Sequence, residues 1–192
     1  MSARWVVVAA ASAILLLAGC TTAPAAQPSV SPVESAAATP PVFTQPTHCE
    51  QLVPSARLDV FTDAAIILLG GPGGLYGDHY LAEPTPEQDA GGITCIWGDD
   101  TTEISSVTIS VAPLDSETHE LVVDTLLAQG LNEVSQQGYS EYAEAGDEEG
   151  SATIYNAVRD ESWISVIQTV CGEASFADAV AIADEVYASV YR

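Results

Sequence analysis

The chain has 192 residues, enough for one domain of ordinary size, and its 27 acidic side chains stand against four basic ones, Arg4, Arg57, Arg159 and Arg192. The formal net charge is −23, and loss of Arg4 with a signal peptide would make it one unit more negative. Such a surface repels phosphate backbones and anionic headgroups alike, which excludes nucleic-acid binding and any membrane association built on a basic patch.

In chain order, Arg4 is followed by an apolar run from Trp5 to Leu17 and then by Ala18-Gly19-Cys20. A charged start, a short apolar run and small residues at its end describe a secretory signal, and the run is too short for a bilayer span of about 20 residues. Leu17-Ala18-Gly19-Cys20 resembles the lipobox of bacterial lipoproteins. That resemblance implies diacylglyceryl transfer to the Cys20 thiol, cleavage between Gly19 and Cys20, and a mature chain held by lipid at the outer face of the cytoplasmic membrane. Each buried CH₂ contributes about 0.8 kcal/mol, and two or more acyl chains anchor stably despite the charge.

Residues 21–47 hold six of the eleven prolines, with Ala, Ser and Thr between them. They carry too little apolar surface to offset chain entropy, and the expectation is a disordered tether from Cys20 to residue 47, ~30 Å long as a coil and ~80 Å as a polyproline helix.

The folded domain is expected at 48–192. Leu58, Phe61, Ala65 and Leu68 fall at helical spacing, predicting a helix over 55–69 that Gly70-Gly71-Pro72 stops. The glycine- and proline-rich segment 70–92 reads as a loop; it lacks the Gly-Lys-Ser/Thr of a phosphate cradle. Residues 93–98 and 102–111 alternate as strands joined by a turn, with Val107, Ile109 and Val111 on one face and Ser106, Thr108 and Ser110 on the other. Asp115 or Ser116 caps a helix over 116–129. Segment 131–149 is polar, with Tyr139 and Tyr142 marking a short edge strand. Residues 151–159 and 162–170 form a second strand pair. Ser175 and Asp178 resemble a capping box for a helix over 175–190. The expected fold is α+β, in α-ββ-α-ββ-α order, with a four-stranded antiparallel sheet and helices packed on one face.

Without Cys20, three thiols remain, and the exported compartment permits one bridge. Position places Cys49–Cys95 first, with Cys49–Cys171, Cys95–Cys171 and no bridge open behind it. Cys20, the tether, Cys49-Glu-Gln-Leu and Cys95-Ile-Trp97 together resemble small actinobacterial cell-envelope lipoproteins of uncharacterised function, and more loosely the extracytoplasmic sensor domains of actinobacterial receptor kinases. The resemblance implies a bridge from the early Cys to the Cys-x-Trp strand. It carries no established activity, and Cys171 departs from its two-cysteine pattern.

His48, His79 and His119 are far apart in the chain and form no zinc-binding motif. Neither a nucleophile elbow nor a Ser-x-x-Lys pair is present. Asp99-Asp100 and Asp147-Glu148-Glu149 lack the ligand order of a calcium loop. The chemistry calls for no cofactor, metal ion or catalytic role. The expected function is a non-enzymatic ligand-binding or sensory domain. Two alternatives are an accessory subunit bound to an envelope protein and a cell-wall hydrolase, the latter requiring a cleft where His79 or His119 meets a carboxylate and a hydroxyl or thiol.

Overall fold

A computed structural model describes residues 40–102, 104–135, 139–147 and 151–192; Gly19 and Cys20 lie outside them, as do Glu148 and Glu149. The chain is already held on the domain at residues 42–44. Val42 exchanges both backbone hydrogen bonds with Arg192, at 2.8 and 3.1 Å, and Thr44 N donates to the Val190 carbonyl at 2.7 Å. Phe43 packs on Tyr191 with ring centroids 5.6 Å apart.

Helix α1 covers Ser55–Asp63 and is followed by strand β1, Ile67–Gly70, not by the further helical turn that its spacing predicts. Ala65 turns the chain through φ 57°. The run Ile66-Ile67-Leu68-Leu69 then pairs with β2, Ile67 opposite Gly98 and Leu68 opposite Trp97. A four-residue apolar run fits a buried strand as well as a helix, and the open edge of β2 decides between them.

Helix α2 (Pro86–Asp89) interrupts the predicted loop, with Thr85 as its N-cap. Strands β2 (Ile93–Asp99) and β3 (Ile104–Pro113) follow, then helix α3 (Ser116–Ala128), capped by Asp115. Strands β4 (Asn132–Ser135) and β5 (Ser140–Glu144) occupy the polar segment, and β6 (Thr153–Val158), β7 (Ser162–Gln168) and helix α4 (Glu173–Val190) complete the chain. The sheet is antiparallel and seven-stranded, in the order β1-β2-β3-β7-β6-β5-β4. The expected four-stranded sheet is therefore too small. Strand β5 stands where Tyr142 marks the expected short strand, but it is paired on both sides; the two edge strands were hidden, β1 in a helix-like apolar run and β4 in the polar stretch.

Helices also lie on both faces of the sheet, which corrects the one-face expectation. On the first face Cys95, Trp97, Ile109, Val111, Ile164, Val166 and Tyr155 pack against Phe61 of α1 and Ala179, Ile182, Val186 and Val190 of α4. On the second, Val122 and Leu126 of α3 meet Ala112, Trp163, Val158 and Tyr142. Helix α3 leaves the interior strand β3 and returns the chain to the far edge at β4, so it crosses this second face. Helix α4 begins two residues before the predicted capping box. The Ser175 hydroxyl donates instead to Gln168 Oε1 at 2.5 Å and to the Val170 carbonyl at 2.6 Å.

Cys49 and Cys95 are joined in a disulfide with their Cα atoms 5.5 Å apart, and Cys171 is a free, half-buried thiol. The bridge holds the start of the domain on β2. Gly71 runs so close beneath it that a Cβ there would lie 2.2 Å from the Thr94 carbonyl and 2.9 Å from the Cys49 Sγ.

Arg57 ties α1 to α4. Its guanidinium contacts Glu185 at 2.8 and 2.9 Å and Asp178 at 2.7 Å, and the hydrogen bonds to Glu185, more than those to Asp178, raise its pKa above the usual range. Removing it leaves two carboxylates facing each other in an already acidic molecule. Both acids are partly open to water, which screens the pair. Arg57→Ala is therefore expected to cost about 2 kcal/mol, below the full penalty of a buried pair, and Arg57→Lys to recover part of it. Urea melts of the two variants check this: equal losses would place the effect in packing, not in the paired charges.

Candidate functional site

The second sheet face carries an unusual row. Successive register partners across five strands are Thr94, Ser110, Ser165, Asn156 and Tyr142. On one side of it lies the row Ile96, Thr108, Ile167 and Ile154, and on the other Ala112, Trp163 and Val158. Thr94, Ser110, Ser165 and Asn156 are each no more than 3% exposed. Polar groups removed from water in this way need partners, and part of the need is met within the row. The Thr94 hydroxyl links the Thr85 hydroxyl at 2.6 Å to that of Ser110 at 2.9 Å. Trp163 Nε1 donates to Asn156 Oδ1 at 2.9 Å, and Asn156 Nδ2 donates to the Tyr142 carbonyl at 3.4 Å.

Helices α2 and α3 roof this face without filling it. An inner chamber of about 200 Å³ lies over Thr108, Ser110, Asn156 and Ser165, with Thr85 and Gln129 at its sides. Leu126, Ile154 and Ile167 are its apolar walls, and Glu87, itself buried, also borders it. A second, outer groove of about 290 Å³ runs between Ala90 of the α2 turn and Leu121 and Val122 of α3. Pro86 and Trp163 border both spaces. On α3, Val122 and Leu126 are buried, whereas Leu121 and Leu127 are exposed.

The roof is set by local sequence. Thr85 caps α2 by accepting from Gln88 N at 3.3 Å, while the Gln88 side chain accepts from Thr85 N at 2.9 Å. Asp115 caps α3 by accepting from Glu117 N and Thr118 N at 3.1 and 2.9 Å; hydrogen bonds from Thr118 hold its carboxyl below the usual range. Gly92 seats α2 on the sheet: a Cβ there would lie 2.2 Å from the Val111 carbonyl and 2.7 Å from the Glu87 carbonyl. Gly92→Ala is expected to lift α2 off β3, destabilising the fold by about 1–3 kcal/mol as overpacking does and exposing the chamber. Faster amide exchange in 85–92 with 173–190 unchanged would show it; uniform loss of protection would not fit.

A third cavity, of about 250 Å³, is bordered by Arg159, Asp160, Glu161, Tyr187 and Tyr191. The Arg159 guanidinium carbon sits 3.4 Å from the ring centre of Tyr139 and 4.0 Å from that of Tyr187. Its buried Nε has no hydrogen-bond partner among the described residues, and the two ring faces supply its favourable contact. Tyr187 stacks on Tyr191 at 4.4 Å, so a continuous stack runs from Phe43 to Tyr139. Burial first, then a hydrogen bond to Glu141, pushes the Tyr155 phenol well above its ordinary pKa.

None of the three histidines borders these cavities; His48 and His79 are exposed and His119 lies in the first turn of α3. Asp99 closes its own turn, accepting from Thr101 N and Oγ1 at 2.8 and 2.6 Å. Among the described residues no group of three metal-binding side chains comes together, and no helix is long and apolar enough to cross a membrane. The cleft residues themselves escaped the sequence reading, apart from Thr108 and Ser110 on the outer face of β3; that polar alternation signalled a face, not that a helix would cover it. No family model, curated protein or solved structure matches the chain.

Proposed function

We propose that the chain is a lipid-anchored extracytoplasmic binding module. Its address is the outer face of the cytoplasmic membrane through Cys20, and its ligand site is the cleft between α2, α3 and the polar row. The observation that carries the binding reading is the buried row of hydroxyl and amide groups facing an unfilled chamber. An ordinary interface between helix and sheet would close over apolar side chains there. The signal-like start, the Cys20 tetrad and the proline-rich tether support the address. The chamber floor carries no charged side chain, so a small uncharged molecule of the cell envelope that bears hydroxyl or amide groups suits it.

Thermal-shift titration of the full chain with neutral saccharide wall fragments tests the site. At a hundredfold excess over Kd, a ligand confined to the folded state stabilises by about 2.7 kcal/mol. The shift is expected to vanish in Ser165→Leu, which fills the chamber. An equal shift in the variant, or none in either protein, contradicts the reading.

A second reading rests on Leu121 and Leu127, 66% and 49% exposed on α3: a partner envelope protein docking on that helix, with the chain as its accessory subunit. Crosslinking from position 127 that captures one stoichiometric partner would favour it.

A further inference from the structure

The Arg159 cavity lies apart from the cleft and shares no bordering residue with either of its two spaces. We infer that it binds a small zwitterion of the α-amino acid type, with the carboxylate held by the Arg159 guanidinium and the ammonium turned to Asp160 and Glu161.

Tyr155 and Ala157 of β6 belong to the core beneath α4, and strand alternation puts Arg159 on that same side, beside Tyr187 and Tyr191. The chain has 27 acidic side chains, yet both ion pairs among the described residues belong to Arg57. Arg159 has no carboxylate partner among them. Its guanidinium faces are covered instead by the rings of Tyr139 and Tyr187, at 3.4 and 4.0 Å. Ring faces stabilise the charge but offer no oxygen to the N–H groups, which point outward in the guanidinium plane. Nε is buried, so the terminal nitrogens are the ones a ligand can reach. A carboxylate matches such a planar pair of donors bidentately.

The rest of the cavity is set before a ligand arrives. Tyr191 stacks on Tyr187 at 4.4 Å, and its hydroxyl is hydrogen-bonded to that of Ser162 at 2.8 Å. A fixed wall lowers the ordering cost of binding. Asp160 and Glu161, exposed in the turn between β6 and β7, border the same space, and neither forms an ion pair with Arg159. One cation and two carboxylates thus share a single cavity without pairing. A bare anion entering it meets both carboxylates in a molecule of net charge −23, and a bare cation meets Arg159. A molecule that carries a carboxylate and an ammonium one carbon apart answers both signs at once. The volume of about 250 Å³ lies below the ~300–1,000 Å³ usual for drug-sized ligands, which suits a small amino acid and not a peptide.

The test is calorimetric titration of the full chain with alanine, acetate, ethylammonium and alaninamide. Alanine is expected to bind at least tenfold more tightly than each of the other three, which carry one of its charges or neither pair. Arg159→Gln is expected to abolish alanine binding. Because Arg159 is packed between two rings, the exposed double variant Asp160→Asn with Glu161→Gln gives an independent reading. It is expected to weaken alanine at least tenfold while leaving acetate no weaker. Ser165→Leu, in the cleft on the other sheet face, is expected to leave alanine binding unchanged. The inference is overturned if acetate, ethylammonium or alaninamide matches alanine, if alanine keeps its affinity in either the Arg159 or the double variant, or if none of the four binds. Loss of alanine binding in Ser165→Leu would move the ligand to the cleft and overturn it as well.

Discussion

Replacing Cys49 and Cys95 together by alanine is expected to lower the melting temperature by roughly 8–16 °C. The bridge spans 46 residues, and closing a loop of that length removes about 4 kcal/mol of conformational freedom from the unfolded chain in the entropy model. In a domain of this size each kcal/mol corresponds to about 2–4 °C. The loss falls on a specific part of the fold. Cys49 is fully buried and opens the short turn that leads into α1, and its amide donates to the Pro72 carbonyl at 3.1 Å. Without the bridge, α1 rests on the sheet through Phe61, packed 5.5 Å from Trp97, and through Arg57. Calorimetry with and without reductant measures the effect. Reduction should reproduce the double variant, and Cys171→Ala should change neither. A reduced protein melting with the oxidised one would mean that the bridge constrains nothing.

Trp163 should show a comparable effect on the other face, divided between two substitutions. Trp163→Ala empties the space between α3 and the sheet and is expected to cost about 3–5 kcal/mol, the usual range for a buried aromatic. Trp163→Phe keeps most of the packing but leaves Asn156 Oδ1 without its 2.9 Å donor, at about 1–3 kcal/mol. The two separate stability from ligand binding. Trp163→Phe should fold at room temperature with weakened affinity for uncharged ligands, because Asn156 loses its fixed orientation. Urea denaturation and the same ligand titration report both; full affinity in the phenylalanine variant would remove Trp163 and Asn156 from the site.

The strands β2, β3, β6 and β7 were legible in the sequence because each alternates or is uniformly apolar between clear turns. Asp115 was legible as a cap because its side chain acts locally. What escaped depended on distant chain. Ile67–Gly70 is a strand only because the edge of β2 is open beside it, and Asn132–Ser135 only because β5 supplies its partner. In α4 the buried apolar positions are Ala179, Ile182, Ala183, Val186 and Val190, and the larger Phe176, Val180 and Tyr187 pack half-buried at the margin of the same core. The cleft was the hardest part to see. Ser110, Asn156 and Ser165 lie 55 residues apart at the extremes, and each alone reads as the wet side of a strand. Their common row exists only because β3 pairs with β7 and β7 with β6.

Export, lipid anchoring at Cys20 and oxidation of Cys49 and Cys95 are tested most directly by intact mass spectrometry of the protein extracted from membranes, alkylated before and after reduction. The expected species begins at Cys20, carries the added mass of a diacylglyceryl group, and shows one alkylated thiol before reduction, at Cys171, and three afterwards. An unacylated polypeptide that still begins at Met1, recovered from the cytosol with Cys49 and Cys95 open to alkylation, would contradict all three.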